Sequence, residues 1–222
     1  MCARVAYGPR MTGSAWLFLA LAGVAAPADW SAVARKDKRI EYVAKPATLC
    51  ALILVAVALD PEIDAMRVWF VVGLALSLVG DVFLMLPGNL FVQGLGSFLL
   101  AHLAYIAGFA AGGTEESTLL IAAPVVAVAV LVYARLLIKG MTGEERAMEL
   151  PVALYAVAIG TMLVMAIASH LACAIVGAGL FVISDGLIGY SRFLRMTSWA
   201  PLAIIVTYHL GQAGLVLSLV FD

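Results

Sequence analysis

Apolar runs about twenty residues long return eight times along this chain, and that recurrence settles most of what it can fold into. A helix of that length crosses the ~30 Å hydrocarbon layer of a bilayer. The runs cover roughly residues 14–34, 42–59, 66–86, 90–111, 118–138, 150–169, 171–190 and 198–221. Turn chemistry separates most of them: Asp60-Pro61, Pro87-Gly88-Asn89, Gly112-Gly113-Thr114 and Gly140-Met141-Thr142-Gly143. The break at Ser169-His170 is weaker. The runs do not alternate apolar with polar residues, so helices follow rather than barrel strands. Charged residues make up 12% of the 222 positions, half the ~25% of a soluble domain. The expectation is an all-α polytopic membrane bundle of about eight transmembrane helices, a single domain over residues 1–222. A net charge of −1 gives no reason to expect nucleic acid as a partner. The bilayer is the expected surrounding.

The first run needs a decision. Arg4, Arg10, the apolar stretch 15–24 and Ala25-Ala26-Pro27-Ala28 have the pattern of a secretory signal. Apolar character nevertheless continues through Trp30 to Ala34, which is enough for a spanning helix. A retained first helix is therefore expected. Cys2, Cys50 and Cys173 lack metal-ligand spacing, and no disulfide is expected.

Basic residues give the orientation. Arg35, Lys36, Lys38, Arg39 and Lys45 cluster at the first loop, Arg135, Lys139 and Arg146 near the fifth, and Arg192 and Arg195 at the last. With eight spans all of these share one side, and only Arg4, Arg10 and Arg67 fall on the other. The positive-inside rule places the first group in the cytoplasm and both termini outside it. The two halves, 14–111 and 118–221, also echo each other. Gly73 precedes Asp81 as Gly177 precedes Asp185, and Pro46 and Pro151 precede those aspartates at nearly equal spacing. Two parallel four-helix repeats would bring Asp81 and Asp185 to matching depths, about 8–9 Å below the cytoplasmic helix ends.

Those two aspartates are the main functional signal. An ionisable side chain in hydrocarbon costs roughly 2.5–3.5 kcal/mol on insertion scales, and each one needs a partner. Other polar residues sit in the cytoplasmic halves of the same runs. Lys45 begins the second, where snorkelling is its plain reading. His102 and Tyr105 share a face of the fourth. Tyr208 and Gln212 share a face of the eighth, and interhelical hydrogen bonding accounts for such pairs without any function. His170 and His209 read as incidental. The Pro87-Gly88-Asn89 turn makes spans three and four antiparallel neighbours.

At these positions the chain resembles the YhhN-like lysoplasmalogenase family. The resembling elements are Lys45-Pro46, Gly80-Asp81, Phe91-x-x-Gly94-x-x-x-Phe98-x-x-x-His102-x-x-Tyr105, Ser184-Asp185 and Tyr208-x-x-x-Gln212. Their order spans nearly all of the chain from the second run onward. Two departures are His209, where a second tyrosine is usual, and the segment after Asp185, where an asparagine is expected. The resemblance implies cofactor-free hydrolysis of the vinyl-ether bond of a lysophospholipid, giving a fatty aldehyde and a glycerophospho-base. It implies Asp81 and Asp185 as a carboxyl pair, which of them is the acid being left open. His102 and Tyr105 would orient water or an aspartate, Lys45 would bind the phosphate, and Tyr208 and Gln212 would hold the other aspartate or the glycerol hydroxyl. Proton on carbon followed by capture of an oxocarbenium ion is a task that glycosidases also solve with two carboxyls. Three other readings compete: a small-solute or proton-coupled transporter, a metal-dependent lipid hydrolase built on His102 and the aspartates, and a lipid-binding or assembly protein with structural aspartates.

Overall fold

A computed structural model describes residues 8–195 and 197–221. Eight helices long and apolar enough to cross a membrane follow one another among them. They are α1 (Gly13–Arg35), α2 (Lys38–Ala58), α3 (Asp64–Met85), α4 (Phe91–Gly112), α5 (Glu116–Gly140), α6 (Glu149–Ala168), α7 (Ala172–Phe193) and α8 (Ala200–Leu217). A 3-10 turn, Gly143–Met148, leads into α6. The chain is an integral, multi-pass membrane protein. Its surface is apolar as a lipid-facing surface must be: Leu17, Val43, Leu120, Leu154 and Val176 all point outward. Cys50 is exposed on that surface, and Cys2 lies outside the described residues.

Two boundaries differ from expectation, and both matter for the site. The α2 helix starts at Lys38 because the Asp37 carboxylate accepts from the Arg39 and Ile40 backbone N–H groups. Capping thus folds a charged segment into helix, and Lys45 sits about two turns inside rather than at its start. At the other end, α7 runs on to Phe193. Asp185 is therefore about 12 Å from the end of its helix and Asp81 about 6 Å from the end of α3. The weak break between the sixth and seventh runs does fall where the sequence suggested, with His170 in a left-handed conformation (φ 57°).

Consecutive helices pack as hairpins: α1 with α2, α3 with α4, α5 with α6, and α7 with α8. The α8 helix also touches α1, α2 and α3, and α6 touches α4 and α7. Glycine sets the closest crossing. A Cβ on Gly177 would lie 2.7 Å from the backbone nitrogen of Leu215, and one on Gly211 would lie 2.9 Å from the Gly177 carbonyl oxygen. The α7 and α8 backbones can touch only without side chains there. Exchanging α1–α4 with α5–α8 matches some pairings: α2–α8 with α4–α6, and α2–α3 with α6–α7. It is broken at α1–α8, because α4 and α5 do not pack along their length. The α5 helix instead leans on α6 and α7 from the outside, with only Ala134 and Leu137 buried. That loose placement leaves room for a cavity.

Candidate active site

Asp81 is sealed and paired. It is 1% exposed. The Lys45 ammonium lies 2.8 Å from Oδ1, and the Tyr208 hydroxyl donates to Oδ2 at 2.7 Å. Three helices, α2, α3 and α8, supply this cluster. The Lys45 side chain is 13% exposed, so its amine is committed to Asp81. The expected contact between Lys45 and a lipid phosphate would have to share an ammonium that already faces Asp81.

Asp185 has different company. The Tyr155 hydroxyl, from α6, donates to Oδ2, and His102 Nε2, from α4, stands 3.8 Å from the same oxygen. The other ring nitrogen, Nδ1, meets the Phe98 carbonyl oxygen. A carbonyl oxygen only accepts, so Nδ1 carries hydrogen. In the neutral ring Nε2 is then an unprotonated lone pair facing Asp185, and it has no other partner. Tyr155 escaped the sequence reading because a lone ring in an apolar run looks like core. The available signal was that a buried aspartate must have a hydrogen-bond donor nearby, and α6 offers no other side chain as suitable in its first two turns.

The expected residues therefore fall into three contacts rather than one. Lys45, Asp81 and Tyr208 form the first, and His102 and Asp185, with Tyr155, form the second. The third is Tyr105, whose hydroxyl donates to Gln212 Oε1 at 2.6 Å between α4 and α8. Phe181 joins them, its ring centroid 4.9 Å from His102, 5.4 Å from Tyr208 and 6.4 Å from Tyr105. Phe98 packs edge-on against both Phe181 and Tyr208.

Asp185 opens onto a cavity of about 320 Å³ between α4, α5, α6 and α7, within the range of small-molecule sites. Its wall is apolar, built from residues such as Phe91, Leu95, Phe98, Val130 and Ile159. Asp185 is the one carboxyl among its described lining residues, with Tyr133 and Tyr155 beside it. Tyr133 is held by donating its hydroxyl to the Gly186 carbonyl oxygen. Asp81 does not line this space.

A further buried polar group lies outside both clusters. Asp29 of α1 is 0% exposed, and neither of its oxygens has a hydrogen-bond partner. His209 Nε2 is 3.9 Å away, while Trp30 Nε1 donates to His209 Nδ1 at 3.1 Å. His209 is thus buried against α1 rather than idle. Among the described residues no three His, Cys, Asp or Glu side chains converge as metal ligands would.

Comparison with known proteins bears on this geometry. The YhhN family matches residues 40–219, a stretch that holds all the residues of the two carboxylate clusters. A protein of Mycobacterium bovis named lysoplasmalogenase is 30% identical over 207 residues, covering 86% of this chain and 77% of its own. The human lysoplasmalogenase TMEM86B is 33% identical over 146 residues, covering 66% of this chain and 61% of its own. An Escherichia coli membrane protein, YhhN, described as uncharacterized, is 39% identical over 69 residues, covering 31% of this chain and 33% of its own. No solved structure matches.

Proposed function

This chain belongs to the YhhN family, and from that premise we propose that it is a lysoplasmalogenase, hydrolysing the vinyl-ether bond of a lysophospholipid by carboxyl chemistry at Asp185. The single observation that carries the proposal is an apolar cavity of about 320 Å³ with one carboxyl in its wall. The two relatives named lysoplasmalogenase support the substrate class.

Asp185 is the acid. No cation stands beside it, and its neighbours are a phenol and an imidazole. An uncompensated charge against an apolar wall costs several kcal/mol, so the uncharged carboxyl is the form this wall tolerates. The hydrocarbon tail lies in the cavity and presents the double bond to Asp185. Its proton passes to the β-carbon, and the adjoining carbon becomes an oxocarbenium ion facing the new carboxylate. Water adds to that carbon and gives its proton to His102 Nε2, the free lone pair 3.8 Å from Asp185 Oδ2. The hemiacetal then collapses: its hydroxyl proton returns to Asp185, the C–O bond to glycerol breaks, and the leaving oxygen takes the proton from His102. Fatty aldehyde and glycerophospho-base leave, and both residues are restored. General acid–base transfers of this kind contribute about 10²–10⁴-fold each.

Asp81 has a supporting role. Lys45 balances its charge, and Tyr208 fixes its second oxygen. Together they form a rigid block behind Phe98 and Phe181. Tyr105 and Gln212 clamp α4 to α8 behind the same wall. Because α4 and α5 do not pack along their length, the substrate tail reaches the cavity sideways from the bilayer. The positive-inside rule assigns the Arg-rich face to the cytoplasm of a bacterial cell and both termini to the outside.

The test is purified protein in nanodiscs with a 1-alkenyl lysophospholipid, read by mass spectrometry for aldehyde. The expected result is aldehyde release that Asp185→Asn abolishes. Solute flux in proteoliposomes with no aldehyde from any alkenyl lipid would replace this reading with the transporter.

A further inference from the structure

With Lys45 committed to Asp81, the headgroup of the proposed substrate needs another cation, and we propose that Arg192 is the phosphate-binding residue at the cytoplasmic mouth of the cavity. This rests on the lysolipid reading above. Three observations carry it. Arg192 lies seven residues after Asp185 on α7, so the two share a face of the helix. Gly189, between them on that face, lines the cavity. The Arg192 guanidinium carbon stands 5.2 Å from the ring centroid of Phe91, itself a cavity wall.

Arg192 is exposed, and no ion pair joins it to a described carboxylate. The cation–π contact with Phe91 holds the guanidinium beside the cavity wall. A planar fork of donors suits a phosphodiester. The other cations along α5, the 3-10 turn and the end of α7 fit less well. Arg146 already faces Glu149 at 3.7 Å. Arg135 and Lys139 are exposed on α5, each two residues from the inward-facing Tyr133 and Leu137, and so point away from the cavity. Arg195 lies beyond the end of α7.

Length decides between chance and fit. Seven helical residues separate Asp185 and Arg192 by ~10.5 Å along the axis. In a 1-alkenyl lysophospholipid, seven bonds separate phosphorus from the β-carbon of the vinyl ether. At the ~1.2 Å per bond of an extended backbone, that span is about 8–9 Å. Helical side chains tilt toward the N-terminus, and the longer arginine, C-terminal to Asp185, shortens the separation by its reach. Phosphate at Arg192 therefore brings the reacting carbon to Asp185, and the same contact selects lysolipids that carry a phosphate.

The experiment compares two substrates, a 1-alkenyl lysophospholipid and the phosphate-free 1-alkenylglycerol. Arg192→Gln is expected to raise KM for the first about tenfold with kcat within twofold, and to leave both constants unchanged for the second. Arg192→Lys is expected to fall between, keeping charge but losing the fork. Equal KM shifts for the two substrates, or no shift for either, overturn the phosphate contact. Unchanged turnover of the phosphate-free substrate also shows that the variant is folded. If wild-type protein releases aldehyde from neither substrate, the hydrolase reading fails on its own. Binding of a non-cleavable 1-alkyl lysophospholipid then still tests the subsite, being weakened about tenfold by Arg192→Gln if Arg192 binds phosphate and unaltered if it does not.

Discussion

Asp81 and Asp185 occupy corresponding places in the two halves, each eight residues after a glycine at a helix crossing, yet their surroundings differ in kind. The second helix of the first half gives Asp81 an ammonium, and the second helix of the second half gives Asp185 a phenol. In each half the remaining partner crosses over from the fourth helix of the other half: Tyr208 of α8 for Asp81, His102 of α4 for Asp185. The first carboxylate is thereby charge-balanced and closed in. The second has one donor and a lone pair but no counter-ion, and it faces an apolar cavity. One architecture thus produces an ion-paired carboxylate and a carboxyl without a counter-ion, the one we propose as the proton source, and the difference comes down to what α2 and α6 contribute.

The sharpest break in that comparison is expected on activity. Asp185→Asn removes the transferable proton while keeping shape and a hydrogen-bond acceptor for Tyr155. Aldehyde release should fall at least ~10³-fold, about 4 kcal/mol of barrier, with the unfolding midpoint in detergent changed little. Retention of more than a tenth of wild-type turnover would remove Asp185 as the acid.

Lys45→Met reverses the emphasis. It leaves Asp81 buried without its counter-charge, which typically costs 3–5 kcal/mol. Chemical unfolding in micelles should register that loss, and adding Asp81→Asn should restore much of it. Equal stability of the single and double variants would mean that the pair is not coupled.

Helix crossings come next. A methyl on Gly177 meets the backbone of α8, which cannot move without moving the helix, whereas one on Gly73 meets the edge of the Tyr105 ring at 2.7 Å. Gly177→Ala should cost about 2–3 kcal/mol and Gly73→Ala about 1–2 kcal/mol, the usual span for overpacking. The reverse order, read by the same unfolding assay, would contradict the tighter crossing assigned to the second half.

Tyr155→Phe tests the phenol directly. The Asp185 carboxyl loses its donor and the freedom to turn is no longer checked. A hydrogen bond of this type contributes around 1.5 kcal/mol, so kcat should drop about tenfold with KM nearly constant. An unchanged kcat would reduce Tyr155 to a wall residue.

How much of this was legible beforehand varies with the physics involved. Eight helices followed from run length, because hydrocarbon thickness imposes a length on every span alike. The aspartates stood out for the same reason, since lipid makes an isolated charge conspicuous. The start of α2 did not, because a charged stretch from Lys38 to Glu41 looks like loop until Asp37 is recognised as its cap. Pairing was harder still. That Lys45 reaches Asp81 while His102 reaches Asp185 depends on which helices pack across the halves, and periodicity along one helix carries no such information. The cavity was least legible. It exists because α5 leans on α6 and α7 without closing on α4, a property of the assembly rather than of any one segment.

Asp29 asks whether the comparison between two carboxylates is complete. It is as deeply buried as Asp81, yet no ammonium lies within ion-pair distance of it, Lys45 acting on it only through space, and its oxygens lack hydrogen-bond partners. Trp30 donates to His209 Nδ1, so the neutral ring carries its hydrogen on Nε2, the nitrogen that faces Asp29 at 3.9 Å. That separation is too long for a hydrogen bond, and only His209, whose ring lies 5.5 Å from that of Tyr208, touches the aromatic wall around Phe181. An amide in place of this carboxyl removes a buried charge or an acid proton without disturbing a bond. Asp29→Asn should therefore shift stability by less than about 1 kcal/mol, under ~4 °C in Tm for a chain of this size, and leave turnover within twofold. A loss of turnover comparable to that of Asp185→Asn would make Asp29 a third partner in the chemistry, and the contrast between one fixed and one reactive carboxylate would have to be redrawn around it.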